Sequence, residues 1–318
     1  MRIAVTGATG FIGGAIVRRL AAHGHAVLAL GRSAAGPDAV EYARWDLGAD
    51  GPPPPGLAGC DAVVHAAAHV AAWGDERLFR AVTVSGTARL IDAMDPAARL
   101  VVIGSSSVYV PDGRRRTYRE SDGPREPRRY LAAYARAKAE QERLVAARRP
   151  DAIVLRPRAV WGPGDRTLLP RVEARVRAGR LLLPDGGRHP MSTTHIESLA
   201  DAVEAALAHP DVRGPVNVAD ATPRSPEELL SAIFAARREP LRIVAVPGRL
   251  ADAISIALET AYRVARIRRE PPITRYAVSA LAAPVVLDLA RLHHELLISP
   301  DAAFALRAAE LAGTARHM

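Results

Sequence analysis

Thr6-Gly7-Ala8-Thr9-Gly10-Phe11-Ile12-Gly13 follows the apolar run Ile3-Ala4-Val5 and opens a helical pattern over 11–23. The glycines permit a tight turn and close approach of a ligand to the backbone. The helix N-terminus then offers free N–H groups and a partial positive charge. Such glycine spacing is weak evidence alone; its setting between a strand and a helix gives it meaning. The stretch predicts a pyrophosphate held around Gly7, Thr9, Gly10, Phe11, Ile12 and Gly13.

Outward from this turn, apolar runs at 3–5, 26–30, 62–64, 100–103 and 153–155 alternate with helical patterns at 11–23, 75–94 and 130–149. That alternation predicts βαβ units and an α/β fold with a parallel sheet, and the near-continuous apolar strands fit a sheet covered on both faces. Gly51-Pro52-Pro53-Pro54-Pro55-Gly56 is a surface connection, since proline cannot join a central ladder. After residue 160 helices are expected near 167–179, 196–208 and 224–236, the last opened by Ser225-Pro226-Glu227-Glu228. A strand is expected at 216–218, and an amphipathic stretch runs from Val246-Pro247-Gly248 to Arg268. There is no internal repeat.

Composition bounds the rest. The 318 residues are 49% hydrophobic and 24% charged, which excludes general disorder. Cys60 alone excludes a disulfide scaffold. No uncharged apolar run approaches the roughly 18 residues of a spanning helix. Met1-Arg2-Ile3 enters a strand pattern at once, so a cytoplasmic chain without a signal peptide and without a membrane span is expected. The net charge of +9 raises the question of nucleic acid. Its densest cluster, Arg114-Arg115-Arg116 with Arg125, Arg128 and Arg129, has only Tyr118 and Tyr130 near it and reads as a solvated loop. A small-molecule substrate, and no nucleic acid, is the expectation. No metal site is expected.

The cofactor is read from strand ends. A carboxylate about 20 residues past the glycine turn would bond an adenine ribose and repel a 2′-phosphate. This chain has Gly31-Arg32-Ser33 there, and Arg32 suits a phosphate, so NADP(H) is favoured over NAD(H). Trp45-Asp46-Leu47 follows the third strand, where Asp46 either accepts from the adenine amino group or caps a turn. The small residues Ala66, Ala67 and Ala68 let a cofactor lie across the sheet edge, and His65 before them reads as a packed histidine.

Tyr134-Ala135-Arg136-Ala137-Lys138 lies on a helical pattern, so Tyr134 and Lys138 share a face. A cation beside a phenol favours the phenolate and lets it exchange a proton with a hydroxyl or carbonyl. Lys138 is the single lysine among 43 cations, and with seven tyrosines in 318 residues chance rarely sets it four after one. The third member is a hydroxyl at the end of the fifth strand, where Ser105-Ser106-Ser107 precedes Val108-Tyr109. Spacing points to Ser105, which would polarise a carbonyl; the other two, Ser106 included, touch substrate or satisfy backbone groups.

With these residues placed, the chain resembles the extended short-chain dehydrogenase/reductase family, the NAD-dependent epimerase/dehydratase group, over nearly its whole length. TGATGFIG at 6–13, SSSVY at 105–109, YARAK at 134–138, LRPRAVWGPGD at 155–165 and THIESLADAV at 194–203 match in order and spacing. The resemblance implies a Rossmann-type doubly wound parallel sheet with a smaller C-terminal substrate-binding lobe. It divides the chain into a dinucleotide-binding core at 1–160, with returning segments near 190–220, and a mainly substrate-binding lobe at 161–318. It makes Ser105, Tyr134 and Lys138 a catalytic triad and lines the nicotinamide side with Pro157, Ala159 and Val160.

The finer resemblance is to the 3β-hydroxysteroid dehydrogenase-like branch, which includes 3-oxoalkanoate reductases. It rests on Ala72-Trp73-Gly74-Asp75, on Trp161, and on the tail at 271–300. It implies hydride transfer at a 3-oxo or 3-hydroxy group of an apolar, steroid-like or acyl substrate, with Trp161 beside it. The helices near 75–94 and 130–149 would pair two copies into a homodimer, as in relatives. The chain departs from the family at Thr83, where asparagine is usual, at Val110 and Leu297, where glycine is usual, and at Arg158, which either holds an acidic substrate or is solvated.

The alternative is a nucleotide-sugar epimerase that uses bound NAD transiently, since the same triad serves both reactions. A 4,6-dehydratase is disfavoured because Ser105-Ser106-Ser107 lacks an Asp-Glu pair. A non-catalytic dinucleotide sensor would share the fold but has no need of the Tyr134–Lys138 pair.

Overall fold

A computed structural model describes residues 1–71, 73–110, 117–267, 269–281, 283–299 and 304–313. Ala72 and Arg114 to Arg116 lie outside the described residues. Strands β1 (Arg2–Thr6), β2 (Ala26–Gly31), β3 (Glu41–Arg44), β4 (Ala62–His65), β5 (Arg99–Ile103), β6 (Ile153–Pro157) and β8 (Gly214–Val218) form one seven-stranded sheet. Its order is β8-β6-β5-β4-β1-β2-β3, and every pairing is parallel. The two remaining strands of length, β7 (Arg180–Pro184) and β9 (Arg242–Val246), form a separate parallel pair. Neither was anticipated as a strand.

Strand alternation explains why these segments are apolar throughout. Ile3, Val5, Val27, Val64, Val101, Ile153 and Val216 pack on one face with Ile16 and Leu20 of α1 (Phe11–Ala22) and Leu199 and Val203 of the helix Ile196–Ala208. Ala4, Leu28, Val63, Leu100, Val102 and Val154 face the other way, against Leu90 of α2 (Gly86–Ala93) and Val145 of α3 (Ala133–Arg148). A third cluster, built from Leu169, Leu181, Leu183, Leu229 and Ile233, lies among the later elements.

The helix expected over 75–94 is present with a local difference: a helical turn at Glu76–Phe79, a π-wound segment at Arg80–Ser85, then α2. The helix expected at 167–179 is only Leu168–Glu173, because the chain turns at Ala178 and Gly179, both at positive φ, to enter β7. Ser225 opens the helix Pro226–Ala236 through a reciprocal capping box with Glu228. The sheet reverses its winding between β1 and β4, so a crevice opens beyond their C-terminal ends, where such sheets bind ligands.

Candidate active site

The glycine turn sits at that crevice. Gly7 adopts φ +69°, and a Cβ there would lie 2.9 Å from the Ala67 nitrogen. A Cβ on Gly13 would meet the Gly7 carbonyl oxygen at 2.1 Å. Both positions exclude a side chain, which brings the turn, α1 and the end of β4 together. Helix α1 has no side-chain cap and no acidic residue in its first turn, so its N-terminal donors remain uncommitted to protein carboxylates. The cradle fits a dinucleotide pyrophosphate.

A cavity of about 840 Å³ runs from this turn to the later elements. Gly7, Thr9, Gly10, Phe11, Ile12, Gly13, Arg32, Asp46, Leu47, Ala66, Ala67, Ala68, Ser105, Ser106, Tyr134, Lys138, Pro157, Arg158, Ala159 and Val160 all line it. Residues from one end of the chain to its middle thus meet in one space. Trp161 does not line it. Its side chain is 1% exposed, its Nε1–H donates to Asp220 Oδ2 at 2.9 Å, and it packs on His195 and Phe304. It turns away from the cavity because Val160–Trp161 pairs with Thr194–His195 and the indole has a buried polar partner on that side.

Tyr134 and Lys138 lie one turn apart near the start of α3. Ser105 follows β5, accepts the Ser107 N–H at 3.1 Å, and lines the cavity together with Tyr134. Burial pushes the Tyr134 phenol up to about 12, against a smaller lowering by the Ser105 hydroxyl. The expectation that a neighbouring cation brings the phenol down is therefore not met: loss of solvation is the largest influence, and Lys138 is not among the groups that shift it. Burial also lowers Lys138 to about 7, with the Glu142 carboxylate opposing.

Lys138 Nζ donates to the Ile103 carbonyl at 2.8 Å and to Gln141 Oε1 at 3.0 Å. Gln141 Nε2 donates to Thr87 Oγ1 at 2.8 Å, and Thr87 donates to the Thr83 carbonyl at 2.6 Å. His65 Nε2 lies 2.8 Å from Thr87 Oγ1, and its Nδ1 lies 2.7 Å from Thr6 Oγ1, which accepts the Ala67 N–H at 3.1 Å. These directions leave Thr87 only lone pairs to offer His65, so the network assigns the proton to Nε2 and makes Nδ1 an acceptor. Burial, with the Lys138 charge, lowers His65 to about 3 and keeps it neutral. A continuous buried chain therefore links Lys138 to the glycine-turn side of the cavity. The Thr83 hydroxyl accepts the His69 N–H at 3.3 Å, tying the loop after β4 to the π-wound segment.

Arg32 faces the cavity with no ion pair among the described residues, and its charge helps burial lower His69. Asp46 serves a turn, accepting the Gly48 N–H at 2.8 Å, while also lining the cavity. Sequence reasoning missed Gln141, Arg171 and Tyr276. Gln141 is the only glutamine in the chain and stands three residues after the only lysine, a signal that went unused. Arg171 and Tyr276 line the cavity from the later elements, where local patterns carry no site information. Among the described residues, no group of three or more His, Cys, Asp or Glu side chains could hold a metal ion, and no helix is long and apolar enough to cross a membrane.

Comparison with known proteins agrees with this geometry. Residues 3–219 match the model of the NAD dependent epimerase/dehydratase family. The 2-alkyl-3-oxoalkanoate reductase of Stenotrophomonas maltophilia (strain K279a) is 34% identical over 302 residues, covering 89% of this chain and 90% of that protein. Among solved structures, MoeE5 in complex with UDP-glucose and NAD superposes with a TM-score of 0.73 at 23% identity, covering 98% of this chain and 97% of that one. The human epimerase family protein SDR39U1 with NADPH gives 0.69 at 23% identity, covering 98% and 99%.

Proposed function

The chain belongs to the NAD-dependent epimerase/dehydratase family, and within it we propose a cytoplasmic, NADP(H)-preferring ketoreductase that interconverts a 3-oxo and a 3-hydroxy group on an apolar acyl substrate. The observation that carries this reading is the meeting of Ser105, Tyr134 and Lys138 in the cavity that also holds the glycine turn. When bound, the nicotinamide supplies or accepts the hydride at the carbonyl carbon. Gly7 to Gly13 and the α1 N-terminus would hold its pyrophosphate, and Arg32 would answer a 2′-phosphate. The similar reductase acts, by its name, on 2-alkyl-3-oxoalkanoates, and the Leu181, Leu183 and Leu229 walls suit such alkyl chains.

Tyr134 is the proton donor in the reduction direction, since its raised pKa keeps it protonated across the working range. Ser105 offers its single hydroxyl hydrogen to the carbonyl oxygen as a donor beside that of Tyr134. Of the three N–H bonds of a charged Lys138, two are occupied by Ile103 and Gln141. The third is free for a ribose hydroxyl or for the phenolate that proton donation leaves. Two copies would pair through the helices near 75–94 and 130–149, which light scattering would report as twice the 33.9 kDa chain mass.

Titration of cofactor-free protein with NADPH and NADH, followed by a panel of steroid and 3-oxoacyl ketones, tests the reading. Tighter NADPH binding and net NADPH oxidation are expected. Turnover of a nucleotide sugar without net redox change would replace it with the epimerase alternative.

A further inference from the structure

Arg158 is a cation with no anion. Its Nε is shielded from solvent and has no hydrogen-bond partner, and among the described residues its one side-chain bond runs from Nη2 to the Ala280 carbonyl at 3.1 Å. No carboxylate lies within 4 Å of it among the described residues, although 42 arginines make ion pairs common elsewhere in the chain. Its backbone N–H is fixed by Thr194 Oγ1 at 3.0 Å, so the side chain is rooted where it lines the cavity. A guanidinium stays protonated in proteins, so neutralisation cannot relieve this isolation.

The surroundings narrow what completes it. Leu181, Leu183, Met191 and Leu229 give the same cavity apolar walls. Arg32, Arg166 and Arg171 also line the cavity without an ion pair among the described residues, but of these four arginines only Arg158 has a solvent-shielded, unpartnered side-chain nitrogen. Such a cation between apolar walls selects an amphiphilic anion, and the guanidinium fork matches a carboxylate bidentately. Tyr276 relates this cation to the reacting end: it interacts electrostatically with Arg158 and Arg171 and also with Tyr134. Arg158, Tyr276, Tyr134 and Ser105 line one cavity, so a single substrate that carries both an anion and a reducible carbonyl can meet all four.

We propose that Arg158 is the specificity-determining residue that binds the free carboxylate of a 3-oxo acid, orienting its ketone to Ser105 and Tyr134 and its alkyl chains to the apolar walls. The proposal rests on the ketoreductase reading and deepens it. It requires the acid itself, rather than an ester or thioester, to be the form recognised, because only the anion completes the guanidinium. A preceding reaction must then release the acyl group as the free acid.

The test measures kcat/KM with NADPH for a 2-alkyl-3-oxo acid, its methyl ester, and the ketone left by loss of the carboxylate. Wild type, Arg158→Gln and Arg158→Lys are compared. Truncating one partner of a desolvated charge pair weakens binding by about 30-fold or more, so wild type should favour the acid over the ester by about that factor. The acid-to-ester ratio should fall towards one in Arg158→Gln and take an intermediate value in Arg158→Lys. Calorimetry with the non-reducible 2-alkyl-3-hydroxy acid gives a readout independent of turnover, and its affinity should fall in the same order. NADPH affinity and a cooperative melt check each variant's fold; the wild-type acid-to-ester ratio stands without any variant. A wild-type ratio at or below one, or a ratio unchanged by Arg158→Gln, overturns the carboxylate assignment while leaving the reductase intact. Turnover of no ketone by wild type that binds NADPH overturns both. Arg158-dependent binding of UDP-glucose without binding of the acid overturns the assignment in favour of a diphosphate.

Discussion

Arg156 and Arg158 stand two residues apart at the end of β6, and their surroundings differ in every respect. Arg156 has no exposed side chain and no spare donor of consequence. It pairs with Glu142 through Nε at 3.0 Å and through Nη2, donates to Tyr109 Oη at 2.7 Å, and donates to the Glu120 and Gly123 carbonyls at 2.8 and 3.0 Å. Tyr109 in turn donates to Asn217 Oδ1 at 2.6 Å, and Asn217 Nδ2 reaches the Tyr118 and Asp288 carbonyls at 3.1 Å. That knot fastens β6, α3 and the loop after β5 on the side away from the cavity. Arg158, beyond the strand end, faces the cavity with Nε unpartnered. A buried charge whose bonds are all made is structure; one whose bonds are unmade is held in readiness for something else.

The sharpest way to break this contrast acts on the cavity side. Tyr134→Phe should lower kcat by about 10²- to 10⁴-fold, the range of a lost general acid, with NADPH affinity retained; steady-state kinetics beside a cofactor titration would show it. On the other side, Arg156→Met strands Glu142 and should destabilise the fold by about 3–5 kcal/mol. Arg158→Met, which removes an uncompensated cation, should leave the urea midpoint unchanged or raise it. Equal destabilisation by the two would erase the distinction.

Lys138 sharpens the comparison through pH. Its folded pKa of about 7 lies below its ordinary 10.5, so between those values the unfolded chain holds a proton that the folded chain does not. This residue's contribution to stability therefore rises with pH across that window, by up to about 4–5 kcal/mol, and the burial penalty is fully present below it. Urea midpoints of cofactor-free protein should climb from pH 7 towards 10, and Lys138→Met should flatten that climb while removing turnover.

A smaller effect is expected at Arg32. On the proposed NADP(H) reading, Arg32→Ala loses a charge-assisted bond to the 2′-phosphate and should lower the ratio of NADPH to NADH affinity about 10- to 100-fold, read as a ratio of dissociation constants. The smallest is Trp161→Phe, which should reduce stability by about 1–2 kcal/mol through the lost bond to Asp220, with KM unchanged because the indole lies outside the cavity.

Much of the candidate site is legible in the sequence as residues that the structure brings to one cavity. The Gly7–Gly13 turn, the Tyr134–Lys138 spacing and the position of Ser105 after an apolar strand are local features, set by backbone sterics and the helical repeat over a few residues. The alternation of apolar strands with helical patterns likewise determined a parallel sheet covered on both faces. Tertiary structure alone decided which polar side chains meet. Thr6, His65, Thr87, Gln141 and Lys138 form one chain only because β1, β4, α2 and α3 pack together. Burial moves the Tyr134 phenol up and the Lys138 ammonium down, and the pairing of Val160–Trp161 with Thr194–His195 decided that Trp161 turns away. Arg156 and Arg158 are the same residue type in the same motif, and no local pattern separates them. Their roles depend on which groups lie within hydrogen-bond reach, and those groups come from segments distant in the chain, so packing alone could tell the fastened cation from the free one.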